Sequence, residues 1–172
     1  VGPLLGQQAQ AMTEEQIDLL VQQYCDASRD CIEGGLDGIE IHMAHGYLLQ
    51  QFLSPLSNYR DDLYGGSFEN RLRLPQRILR AVRDLLPDNM ALGVRLGTEL
   101  LPGGTEPDAV ARIAAAFEQQ GLIDYVNLTL GTDYNPHKMI AAMHEPMGYE
   151  LPYAGPIRSA VSLPVIVAGR FR

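Results

Sequence analysis

Apolar residues recur at Ile17, Leu20, Val21, Tyr24 and Ala27, a spacing that draws one stripe along a helix. Thr13-Glu14-Glu15-Gln16 just ahead has the form of a capping box, with Thr13 as N-cap and Gln16 reaching back. Gly34-Gly35 stops the segment, so a helix is predicted over Met12 to Gly34. The pattern then changes period. Leu36 to Ile41 reads as a short strand, and a polar, glycine-containing loop follows, with a short helix at Leu48 to Leu53. Ser67 caps a further helix predicted to reach about Leu86, with a kink or break at Leu74 imposed by Pro75.

Ala91 to Leu96 is a second strand. A helix opening at Thr105-Glu106-Pro107-Asp108 ends at Gly121. Asp124 to Leu130 is a third strand. A long loop, Gly131 to Leu151, leads into a helix over Tyr153 to Val161, and Pro164 to Ala168 is a fourth strand. The alternation of helix and strand predicts parallel β-α-β units with right-handed crossovers. No G-x-G-x-x-G follows a strand, so the dinucleotide fingerprint of a doubly wound sheet is missing. The expected fold is therefore α/β, a partial (β/α)8 barrel of about four β-α units. A complete small α/β domain is the alternative, and a closed barrel needs about 250 residues. The chain ends on a strand and its loop, which also suits an incomplete barrel.

Composition narrows the function. The 172 residues carry a net charge of −8, which disfavours a nucleic-acid surface or an anionic membrane surface. With 46% hydrophobic and 20% charged residues the chain folds, as one domain. No apolar run approaches the ~18 residues of a membrane span. The opening VGPLLGQQAQ lacks the basic segment and apolar core of a signal peptide. Cys25 and Cys31 sit six residues apart, roughly 9 Å along a helix, too far for a disulfide. There is no C-x-x-C pair, so no cysteine-held metal site is encoded, and a reducing cytoplasm is the expected compartment.

In parallel barrels the active site lies at the carboxyl ends of the strands. The first strand runs into His42-Met43-Ala44-His45-Gly46-Tyr47. Two imidazoles there can grip an anion or polarise a carbonyl, and Tyr47 can supply a proton. The pair can also be structural, or half a metal site, although the Glu of an H-E-x-x-H motif is missing. Arg95 lies within an apolar strand and needs a partner, either a core carboxylate or an anionic ligand. Gly169-Arg170 ends the fourth strand, where glycine permits close approach and Arg suits a phosphate; a plain turn is the alternative. The long third loop, with Thr132, Asp133, Tyr134, His137, Met143 and His144, either covers a substrate or is a surface excursion.

The block His45 to Arg73, HGYLLQQFLSPLSNYRDDLYGGSFENRLR, resembles the hallmark of the Old Yellow Enzyme family of flavin oxidoreductases. Gly35 to His42, Arg95 in VRL, Leu101 to Thr105 and Ala168 to Arg170 fit the same family. The resemblance implies an FMN-binding eight-stranded barrel, of which this chain covers the helix before strand four through strand seven. It implies that His42 and His45 hold the substrate's activating oxygen and that Tyr47 donates a proton to carbon. It places Arg95 against the flavin N1 and C2 carbonyl, and Gly169 and Arg170 at the FMN phosphate. Asn58, Arg60, Asp62, Tyr64, Gly65, Gly66, Glu69, Asn70 and Arg71 would fix the loop and helix start. NAD(P)H would reduce FMN, which would reduce an activated C=C bond of an α,β-unsaturated carbonyl.

The stretch after the third strand is similar to the larger members, those like dienoyl-CoA reductase and trimethylamine dehydrogenase. There the corresponding loop helps form the substrate pocket, which adds Tyr134 and His137. Those members carry a 4Fe-4S cluster whose cysteines would lie past Arg172, and some oxidise methylated amines. No metal site is expected within this chain. A small-molecule substrate and a homo-oligomer are expected. Half a barrel would leave two strand edges and an apolar inner face uncovered. A fragment unable to hold flavin is the rival reading.

Overall fold

The computed structural model describes residues 10–171; nearly all of the opening segment read as lacking a leader, and the terminal Arg172, lie outside them. Four strands form one parallel sheet in the order β1 (Gly38–Met43), β2 (Ala91–Thr98), β3 (Tyr125–Leu130), β4 (Val165–Val167). The order is sequential, with no reversal of the kind that marks a doubly wound sheet, and it is how barrel strands succeed one another.

Alternation along each strand decides which side is covered. Ile41, Met43, Leu92, Val94, Leu96, Val126 and Leu128 are buried in the core. Helices α1 (Glu14–Glu33), α3 (Phe68–Arg83), α4 (Pro107–Gln119) and α6 (Leu151–Ala160) complete that layer through Ile17, Ile78, Phe117 and Ile157. The intervening positions, Glu40, His42, Arg95, Tyr125, Asn127, Thr129 and Ile166, share the other face, the inside of the barrel. The inner face is thus mostly polar, which corrects the expectation of an apolar one. Its reason is the two-residue period: each inward polar residue alternates with an outward apolar one.

The caps follow the sequence. Thr13 accepts from the Gln16 amide at 3.3 Å while the Gln16 side chain accepts from the Thr13 amide at 2.9 Å. Ser67 accepts from the Asn70 amide at the start of α3. Of the kink or break expected at Pro75, the break does not occur: α3 runs on through it. Pro75 lacks the N–H that would bond the Arg71 carbonyl, but it is buried beside Leu74 and within a turn of Ile78, so packing offsets the lost bond. The segment Asn58 to Arg73 is held as the sequence suggested. Asn58 donates to the Phe52 and Tyr64 carbonyls, Arg60 pairs with Asp62 and donates to the Met12 carbonyl, and Arg71 donates to the Leu53 carbonyl. A four-residue helix, α5 (Pro136–Met139), interrupts the long third loop, which sequence pattern did not foretell.

Candidate active site

Strand β1 delivers His42 to the inner face and then turns sharply. His45 and Gly46 adopt left-handed backbone, φ 61° and 75°. Such a conformation is strained for His45 and must be imposed by its surroundings. Helix α2 (Leu48–Leu53) supplies the restraint. The Gly46 amide donates to Gln50 Oε1 at 2.6 Å, Gln50 Nε2 donates to the Gly97 carbonyl at 2.9 Å, and Gln51 donates to the Gly46 carbonyl. Gln50 is buried, and Gly97 leaves room for the turn: a Cβ there would stand 2.9 Å from that of Ala44. A backbone bridge ties His45 to Thr132 in the loop after β3.

The turn gathers three rings. His42 and His45 lie 5.1 Å apart between centroids, and Tyr47 lies 5.5 Å from His42 and 6.3 Å from His45. His45 Nε2 is 2.9 Å from Thr129 Oγ1. Burial, with the neighbouring His42 and Arg95, pushes the His45 imidazole down to about 4. Burial and Arg95 also lower His42, partly opposed by Glu40. Both imidazoles are therefore neutral near pH 7, each with one N–H to give.

Arg95 pairs in register with His42 on one side and Asn127 on the other. Among the described residues it forms no ion pair, and its Nε is buried with no hydrogen-bond partner. Of the two partners anticipated from sequence, a core carboxylate is present only at longer range: the buried Glu150 feels the charge of Arg95 without bonding to it. Asn127 Nδ2 donates to both oxygens of Glu40, at 3.0 and 3.1 Å, while Asn127 Oδ1 is likewise buried without a partner. An unsatisfied guanidinium N–H beside two neutral imidazoles suits a planar group that accepts hydrogen bonds and gains negative charge on reduction. The residues present fit the FMN that the family resemblance implied.

The remaining candidates sit on other loops. Gly169, φ 138°, lies against Tyr149, whose ring carbon would be 2.8 Å from an added Cβ. Arg170 donates to the Ala142 carbonyl at 2.6 Å, and its own carbonyl accepts from the Gly148 amide. Tyr134 and His137 are exposed on the third loop. Sequence reasoning missed Gln50, Thr129, Asn127 and Glu40. The alternating polar positions in YVNLTL were the signal for Asn127 and Thr129.

The chain matches the NADH:flavin oxidoreductase / NADH oxidase family over residues 4–172. It belongs to that family. It is 36% identical to N,N-dimethylglycine/sarcosine dehydrogenase of Chromohalobacter salexigens, covering 96% of this chain and 24% of that protein. It is 35% identical to NADPH dehydrogenase of Clostridium acetobutylicum, covering 92% of this chain and 45% of that protein. The solved 2-naphthoyl-CoA reductase complex with 2-naphthoyl-CoA superposes with a TM-score of 0.85 at 32% identity, covering 94% of this chain and 25% of that one. The chain thus spans between about a quarter and a half of these relatives' lengths. With the sequential parallel sheet, membership makes this NADH:flavin oxidoreductase chain part of an Old Yellow Enzyme-like barrel. No helix among the described residues is long and apolar enough to cross a membrane.

Proposed function

We propose that, within a complete barrel, this chain forms the reacting half of an FMN-dependent reductase of electron-poor C=C bonds, with NAD(P)H as the source of electrons. The observation that carries the reading is the convergence of His42, His45 and Tyr47 beside Arg95. When bound, FMN would supply the hydride chemistry that links the nicotinamide to the substrate's β carbon. His42 and His45 donate hydrogen bonds to the substrate's carbonyl oxygen, where negative charge develops, and neutral donors do so without titrating near pH 7. Tyr47, half exposed at the start of α2, gives a proton to the α carbon from its hydroxyl. Arg95, whose Nε–H is buried and unsatisfied, would hold the flavin's pyrimidine edge and favour negative charge there. Gly169 and Arg170 border the FMN phosphate, and Tyr134 and His137 line the substrate's approach.

Oxidation of methylated amines is the second reading, favoured by the 36% identity to a protein named for N,N-dimethylglycine and sarcosine. It would use the same flavin but needs no pair of donors to an oxygen. A 4Fe-4S cluster, were the protein to carry one, would take its ligands from outside this chain. The deciding experiment is anaerobic. The FMN-loaded, NADPH-reduced protein is mixed with enones, and the oxidised protein with methylated amines, and flavin absorbance is followed. Rapid reoxidation by enones with no bleaching by amines is expected; the reverse pattern sinks the reductase reading.

A further inference from the structure

Thr129 stands out because nothing in the reading of the reaction uses it, yet its hydroxyl meets one of the reacting imidazoles. It is buried at 2% exposure on the inner face of β3, and its Oγ1 lies 2.9 Å from His45 Nε2. Among the described residues that hydroxyl makes no other hydrogen bond. His45 is a neutral ring, so one nitrogen carries hydrogen and the other accepts. Two arrangements satisfy the distance. If His45 Nε2–H donates to Thr129, the buried Thr129 O–H is left with no acceptor, and a stranded buried donor is costly. If the Thr129 O–H donates to Nε2, both the buried hydroxyl and Nε2 are satisfied. Hydrogen then resides on Nδ1, which has no protein partner among the described residues.

We propose that Thr129 is a positioning residue that locks His45 in its Nδ1–H tautomer by donating its hydroxyl proton to Nε2. The lock leaves Nδ1–H as the one free donor of His45. The turn geometry supports it: His45 is anchored at two points, its backbone to the loop after β3 through the bridge to Thr132 and its ring to β3 through Thr129. The consequence for the reaction, that Nδ1–H is the group offered to the substrate oxygen, rests on the reductase reading above.

The test is two-bond 15N–1H correlation on imidazole-labelled, FMN-loaded protein at neutral pH, with the His45 signal assigned by its loss in His45→Ala. The wild type is expected to show hydrogen on Nδ1. Thr129→Val, close in shape but without a hydroxyl, is expected to move the tautomer ratio toward Nε2–H by up to about tenfold, the worth of one ordinary hydrogen bond. Thr129→Ser keeps the hydroxyl and is expected to restore the wild-type signal. Hydrogen on Nε2 in the wild type, or a ratio unchanged in Thr129→Val, overturns the proposal. Failure of the reductase reading shows differently, as flavin bleached by methylated amines and not reoxidised by enones while the His45 hydrogen still resides on Nδ1.

Discussion

A neutral imidazole is useful in this site because burial, the second histidine and Arg95 all oppose its charging. For His45 the folded value of about 4 lies below the ordinary 6.5, so between those pH values the unfolded chain binds more protons than the folded one. The contribution of His45 to stability is therefore full above pH 6.5 and lost as pH falls toward 4. Urea unfolding across that window should show the loss, and His45→Gln should shrink it; an identical slope in both proteins would count against a buried neutral His45. Arg95→Ala removes a donor that no protein group satisfies, and flavin should dissociate about 10- to 100-fold more readily, the worth of one hydrogen bond to a charged group, measured by fluorescence titration with FMN. Tyr47→Phe should slow reoxidation by an enone about 100-fold while leaving flavin reduction by nicotinamide nearly unchanged; equal slowing of both steps would rule out a proton donor. These side chains were legible in the sequence because they cluster on one strand end or interrupt an apolar strand. Thr129 and Gln50 were not, since their partners lie 84 and 47 residues away and only folding joins them.

Among the elements, the turn after β1 is the most constrained, and its weak point lies on the neighbouring strand. Gly97→Ala would set a Cβ 2.9 Å from that of Ala44 and 3.3 Å from Gln50 Nε2. The turn must then lift, separating His45 from Thr129. Enone reduction should fall at least tenfold with circular dichroism unchanged; full activity would show that the turn need not sit so close. The caps, by contrast, act locally. Ser67→Ala should cost about 1 kcal/mol in chemical denaturation without altering the flavin site. Capping boxes and apolar stripes are short-range signals, which is why α1 is legible in the sequence nearly to the residue. The continuation of α3 through Pro75 was illegible because it depends on core packing that a local rule about proline omits. The interruption of the third loop by α5 has no such stripe to announce it.

At the scale of the molecule, β1 and β4 each have one unpaired edge, and the inner face is polar. The expected association of the isolated chain should therefore proceed through strand edges rather than through that face. Light scattering on the 172-residue chain should show species larger than the 18.9 kDa monomer, growing with concentration; a single cooperatively unfolding monomer would overturn this. The alternation that makes the inner face polar is visible in the sequence, in the I-E-I-H of β1 and the V-N-L-T of β3. It was obscured by treating each strand as an apolar run. The main-chain bridge between His45 and Thr132 reaches further than its two residues. On the proposed function it splices the reacting turn to the loop that would line the substrate's approach, so a change in one should disturb the other. Diversification of this lineage toward new substrates should then leave paired substitutions at both ends of the splice. A graft of the β3 loop from a relative should work only when it carries its own counterpart of the β1 turn.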